Sequence, residues 1–119
     1  MIKTKITVLV DNISLLLIEK EKIYVKSRIL NSEKLQSLDE KTFNKIECLL
    51  PENITLFRLS NFLESRCISK HDKGLDYWLK KYDIHSWSPF WICRKTHGVR
   101  ASDSIWLDFD YEYEDATDK

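Results

Sequence analysis

Ile6, Val8 and Val10 recur at every second position, and after the turn-forming pair Asp11-Asn12 the run ISLLLI is apolar enough for a buried strand. Past a second turn at EKEK, the segment IYVKSRIL sets Ile23, Val25 and Ser27 on one face and Tyr24, Lys26 and Arg28 on the other. That is the period of a half-exposed strand, so the first 30 residues predict a small antiparallel sheet. Residues 31–50 carry no single period. Ser32 with Glu33 and Lys34 fits the cap of a short helix, KTFNKIECLL suits a helix or a strand, and the assignment stays open.

From Pro51 the period lengthens. Thr55 is placed to cap a helix whose apolar positions Leu56, Leu59, Phe62 and Leu63 follow three-four spacing to a close near Arg66. Asp72 is placed to cap a second, with Leu75, Trp78, Leu79 and Tyr82 on one stripe and Lys73, Asp76, Lys80 and Lys81 outside. Ser86 or Ser88 caps a third, with Pro89 in its first turn, Phe90, Ile92, Cys93 and Thr96 inside, and Gly98 as a left-handed stop. Then Ile105, Leu107 and Phe109 alternate with Trp106, Asp108 and Asp110, a strand able to rejoin the N-terminal sheet. The expected architecture is one α+β domain over residues 1–109, with an N-terminal antiparallel sheet, about three helices and a returning C-terminal strand. An acidic tail, residues 110–119, is expected to be mobile.

Composition narrows what such a domain does. The 119 residues suit one core. Nineteen basic residues balance nineteen acidic ones, so no global field draws the chain to nucleic acid or an anionic membrane. The N-terminal apolar stretch is broken at Asp11 and Asn12 and lacks a small-residue cleavage site, and no run approaches the roughly 20 apolar residues of a spanning helix. A cytoplasmic protein without membrane contact is expected. Cys48, Cys67 and Cys93, odd in number and widely spaced, read as buried thiols of a reducing compartment rather than a disulfide framework.

Candidate chemistry is sparse. Cys67-x3-His71 and Cys93-x3-His97 supply four residues of zinc-ligand type in two equal spacings, but neither is the Cys-x2-Cys knuckle, and Cys67 and His71 fall in an interhelix loop. Buried thiols with surface histidines are the preferred reading over a Cys67, His71, Cys93, His97 zinc set, and no cofactor is expected. No cysteine sits in a nucleophile motif. With Gly74 and Gly98 as the only glycines, no phosphate-cradling loop can be written. Residues 73–97 outline a helix-turn-helix, yet Trp87, Phe90 and Trp91 occupy the end where a recognition helix needs polar side chains. Lys80, Lys81, Arg94, Lys95 and Arg100 keep nucleic acid as a lesser alternative. Four tryptophans, Trp78, Trp87, Trp91 and Trp106, exceed what a small core needs. Surface-exposed rings beside arginines are typical anchors of protein interfaces. The expected partner-binding residues are Trp87 and Trp91 as anchors, Arg94 and Arg100 as polar contacts, and Asp108 and Asp110, in the acidic tail from Asp108, as the element that steers a basic partner or imitates nucleic acid.

Residues 59–109 resemble the N-terminal region of HipA-like serine/threonine kinases and the small stand-alone proteins of bacterial mobile elements related to it. Phe62, Leu63 and Arg66 match a Phe-Leu-x-x-Arg motif, Leu75 and Leu79 a leucine-rich helix, Gly98 a glycine, and Asp103 with Trp106 an Asp-x-x-Trp before the last strand. Ser69, Lys70 and Asp72 stand where the related proteins carry a proline and two arginines, and the first 58 residues add only a strand-rich outline and LLPENI. The resemblance implies a piece of a toxin kinase without its catalytic lobes: a non-enzymatic regulator, an antitoxin that binds the kinase and restrains it. The rival expectation is a phage or mobile-element inhibitor docking on a CRISPR nuclease or another defence protein.

Overall fold

The computed structural model of the chain describes residues 2–113. Four strands, β1 (Ile2–Val10), β2 (Ile13–Lys20), β3 (Val25–Ile29) and β4 (Ile105–Tyr113), form one sheet in the order β3-β2-β1-β4. Every neighbouring pair is antiparallel. The returning strand therefore pairs with the first, and the α+β architecture is as the change of period predicts. Asp11 and Asn12 both adopt positive φ, 54° and 65°, in the two-residue turn joining β1 to β2, the geometry that matches the twist of a tight hairpin.

Alternation sorts the side chains into two faces. Ile6, Val8, Val10, Ile18, Ile105 and Leu107 are sealed beneath the helices. Lys3, Lys5, Thr7, Leu17, Glu19, Lys26, Trp106 and Asp108 lie on the other, open face, where Glu19 is paired with Lys3 at 3.7 Å and Lys26 at 3.6 Å. One bulge breaks the pattern: Val8 faces Leu16 but Leu9 faces Ser14, so Leu15 is the extra residue, and Leu15 and Leu16 are both buried.

Residues 31–50, left open by the sequence, form two short helices, α1 (Ser32–Ser37) and α2 (Glu40–Ile46), followed by a 3-10 turn over Glu47–Leu49. Asn31 and Asp39 cap them through side-chain oxygens that accept from Lys34 and Thr42. Three further helices follow: α3 (Leu56–Ser65), α4 (Leu75–Lys81) and α5 (Pro89–Thr96). Thr55 caps α3 and Ser88 caps α5 with Pro89 just inside, as read from the sequence. Their stripes, Leu59, Phe62 and Leu63, then Leu79, then Ile92 and Cys93, close the core.

Four details differ from expectation. Ile23 is 86 % exposed, because a turn in which Glu21 N donates to Tyr24 O delays β3 until Val25. Gly74, not Asp72, is the N-cap of α4; the Asp72 carboxylate instead accepts from the Gly74 amide at 2.8 Å. The left-handed stop after α5 takes two residues, His97 and Gly98, each at φ 61°. β4 continues to Tyr113, so the first four residues of the presumed tail, 110–113, are strand; residues 114–119 lie outside those described. Among the described residues no helix is long and apolar enough to cross a membrane.

Candidate docking site

The end of α3 carries a buried guanidinium. Arg66, at the end of α3, is only 5 % exposed, and a charge so placed must be fully paired. Its Nε donates to Gly98 O at 2.8 Å, and its two terminal nitrogens grip Asp103 in a bidentate fork, Nη1 to Oδ2 at 2.7 Å and Nη2 to Oδ1 at 2.8 Å. Lys45 of α2 reaches the same carboxylate at 2.7 Å, and the Ile105 amide donates to it at 3.1 Å. Arg66, helped by Lys45 and that amide, holds the Asp103 carboxyl well below the usual carboxylate range. The network ties α2, the end of α3 and the α5–β4 loop to the first residue of β4. Gly98 must be glycine: a Cβ there would meet Leu107 Cδ1 at 2.8 Å as well as the strain of its positive φ.

Phe62, Leu63 and Leu79 are core, and Arg66, Gly98 and Asp103 are one hydrogen-bonded unit. Trp106 lies on the open sheet face, its ring stacked on His97 at 4.1 Å.

Beside this frame opens a cleft of about 730 Å³ between the α3–α4 loop and the start of the α5–β4 loop, with Lys70, His71, Trp78, Trp87 and Arg100 in its walls. Trp87 is held by its indole N–H on Ile68 O at 2.8 Å, with the Lys70 ammonium 5.6 Å from its ring. Arg100 donates to Ser65 O at 2.7 Å and to Cys67 O at 3.4 Å, satisfying carbonyls left over at the end of α3. Both side chains are fastened to the frame.

Trp91 differs. It projects from α5 with 47 % of its surface in solvent, Arg94 stacked over it at 5.1 Å, beside a hollow of about 400 Å³ that includes Ile84 and His85. Asp108 and Asp110 lie on neither of these surfaces; they stand on β4 opposite Thr7 and Lys5. The six residues expected to bind a partner are therefore dispersed: Trp87 and Arg100 in the cleft, Trp91 and Arg94 on the outer face of α5, Asp108 and Asp110 on the sheet. Sequence reasoning passed over two exposed rings, Phe57 at 73 % and Tyr77 at 75 %. Each is out of phase with the apolar stripe of its own helix, and that was the available signal.

The thiols are accounted for by packing. Cys93 is fully buried, its Sγ 3.2 Å from Leu63 O, and burial pushes its pKa up to about 12. Burial likewise raises Cys67 and Cys48. His71 is exposed, and His97 Nδ1 lies 2.9 Å from Leu107 O. Among the described residues no group of three or more His, Cys, Asp or Glu side chains is arranged to hold a metal. No protein-family model, curated protein or solved structure matches the chain.

Proposed function

We propose that this protein is a cytoplasmic, non-enzymatic regulator that docks on a larger protein through the outer face of α5, with a HipA-like kinase as the partner it restrains. The observation that carries the reading is Trp91. A half-exposed indole under a guanidinium, bordering a hollow, is the side-chain arrangement from which interface hot spots are made. The resemblance of residues 59–109 supplies the partner's class, and the raised thiols speak for packing rather than chemistry. An inhibitor of a CRISPR nuclease or another defence protein would use the same face and is the second reading, favoured by the same ring.

Co-expression separates these. Growth arrest by a co-expressed HipA-like kinase is expected to be relieved by the wild-type protein and not by Trp91→Ala, while Trp91→Phe is expected to retain most of the effect. Relief that is indifferent to Trp91 refutes the docking face; no relief at all, with inhibition of a CRISPR nuclease by the wild-type protein and not by Trp91→Ala, moves the partner to the defence protein. A partner that proves to be DNA or RNA, lost with rising salt through Lys80, Lys81 and Arg94, replaces both.

A further inference from the structure

The sheet has two outer edges of opposite character. β3 is five residues long and presents Lys26 and Arg28, both exposed, which are common means of keeping an edge from pairing with other chains. β4 is nine residues long, and its sequence IWLDFDYEY contains no lysine, arginine, glycine or proline. We propose that the outer edge of β4, from Phe109 onward, is a strand-addition site for an extended protein segment that alternates basic and apolar residues. The proposal deepens the docking reading and rests on it for the partner being a protein.

Hydrogen bonding sets where this edge begins. The Ile105 amide is taken by Asp103, and Leu107 is paired with the chain leaving α5: its N–H donates to His97 O at 2.9 Å and its carbonyl meets His97 Nδ1 at 2.9 Å. Those bonds also fix the phase, since Leu107 turns its backbone groups away from β1. Register with β1 is unbroken from Ile2 to Val10, so Phe109 and positions 111 and 113 turn theirs the same way. No partner among the described residues takes the outward amide or carbonyl of Phe109. An extended segment laid here continues a ladder whose first rungs are already filled by His97.

Charge selects the occupant. Asp108 and Asp110 are exposed on the open face of the strand. Two copies of β4 placed edge to edge would bring such carboxylates against each other, and like charges across a strand pair are destabilising. The Asp108 carboxylate favours a lysine or arginine facing it on an incoming strand. On the opposite face Phe109 is half-buried, edge-on to Phe90 at 5.5 Å, and gives the intervening positions an apolar neighbour. Main-chain bonding supplies the attachment and alternate side chains the selectivity.

The test uses the full chain and a labelled peptide alternating lysine and valine, with a glutamate-valine peptide and a lysine-valine peptide N-methylated at every second residue. Fluorescence anisotropy and backbone amide exchange are read together. The expected result is saturable binding of the lysine-valine peptide, new protection of the Phe109 amide without change at Asp108, and at least about tenfold weaker binding of the N-methylated and acidic peptides. Asp108→Lys, checked for an unchanged fold by circular dichroism, is expected to reverse the preference toward the acidic peptide. Equal binding of the N-methylated peptide, no binding of any peptide, or pairing of two copies through Phe109 at neutral pH would each overturn the proposal. The docking reading fails separately: a kinase bound through Trp91 but untouched by Asp108→Lys removes the edge site alone, whereas peptide capture without kinase binding removes the partner alone.

Discussion

Replacing Asp103 with alanine removes both oxygens that receive the Arg66 guanidinium and leaves that charge, 5 % exposed, with Gly98 O as its remaining partner. Deleting one member of a buried ion pair costs about 3–5 kcal/mol, because the survivor keeps its desolvation penalty without its counter-charge. The reverse deletion is milder. In Arg66→Met the carboxylate keeps Lys45 at 2.7 Å and the Ile105 amide at 3.1 Å, so the expected loss is about 1–3 kcal/mol. Urea unfolding followed by tryptophan fluorescence reads both; at a slope of roughly 2 kcal/mol per molar, the midpoint of Asp103→Ala falls by about 2 M. The sign with pH follows from the depressed carboxyl. Asp103's contribution is fully present above its unfolded value of about 4 and is lost progressively as the pH falls below that toward the lower folded value. An Asp103→Ala protein within about 1 kcal/mol of wild type, or Arg66→Met as the more damaging change, would refute the account of the frame.

Gly98→Ala is expected to lose about 1–3 kcal/mol in thermal unfolding, from the left-handed backbone and the 2.8 Å approach to Leu107; Gly74→Ala, at ordinary φ with only the Asp72 carboxylate at 3.4 Å, is expected to change little. Alkylation of the native protein at pH 8 should modify the part-buried Cys48 before Cys93, whose thiol stays protonated until the chain unfolds; mass spectrometry of the labelled peptides gives the order, and early labelling of Cys93 contradicts its burial.

Local signals in the sequence were strong where each residue's role is set by its neighbours in the chain. Thr55 and Ser88 cap helices by reaching three residues forward, and Ile6, Val8 and Val10 need only alternation to find the core face. Residues 31–50 were opaque because α1 buries no residue and α2 only Ile46, so neither has an apolar stripe long enough to declare a period. Ile23 misled because alternation continues past the point where the Glu21–Tyr24 turn ends the pairing. The Arg66–Asp103 unit joins residues 37 positions apart, a relation no local period encodes, although the resemblance singles out both members. Trp87 and Trp91 are four residues apart and equally aromatic; only the carbonyl of Ile68, which fastens the Trp87 indole and not that of Trp91, tells the fastened ring from the exposed one.

The central claim, that the chain acts by docking through the outer face of α5, is tested most directly by isothermal titration into a HipA-like kinase, with Trp91→Ala in parallel. The account predicts a dissociation constant near micromolar or tighter for the wild type and about tenfold or greater loss for Trp91→Ala, with the variant's thermal stability nearly unchanged. Equal affinities of the two proteins, or no heat of binding with either, would contradict it.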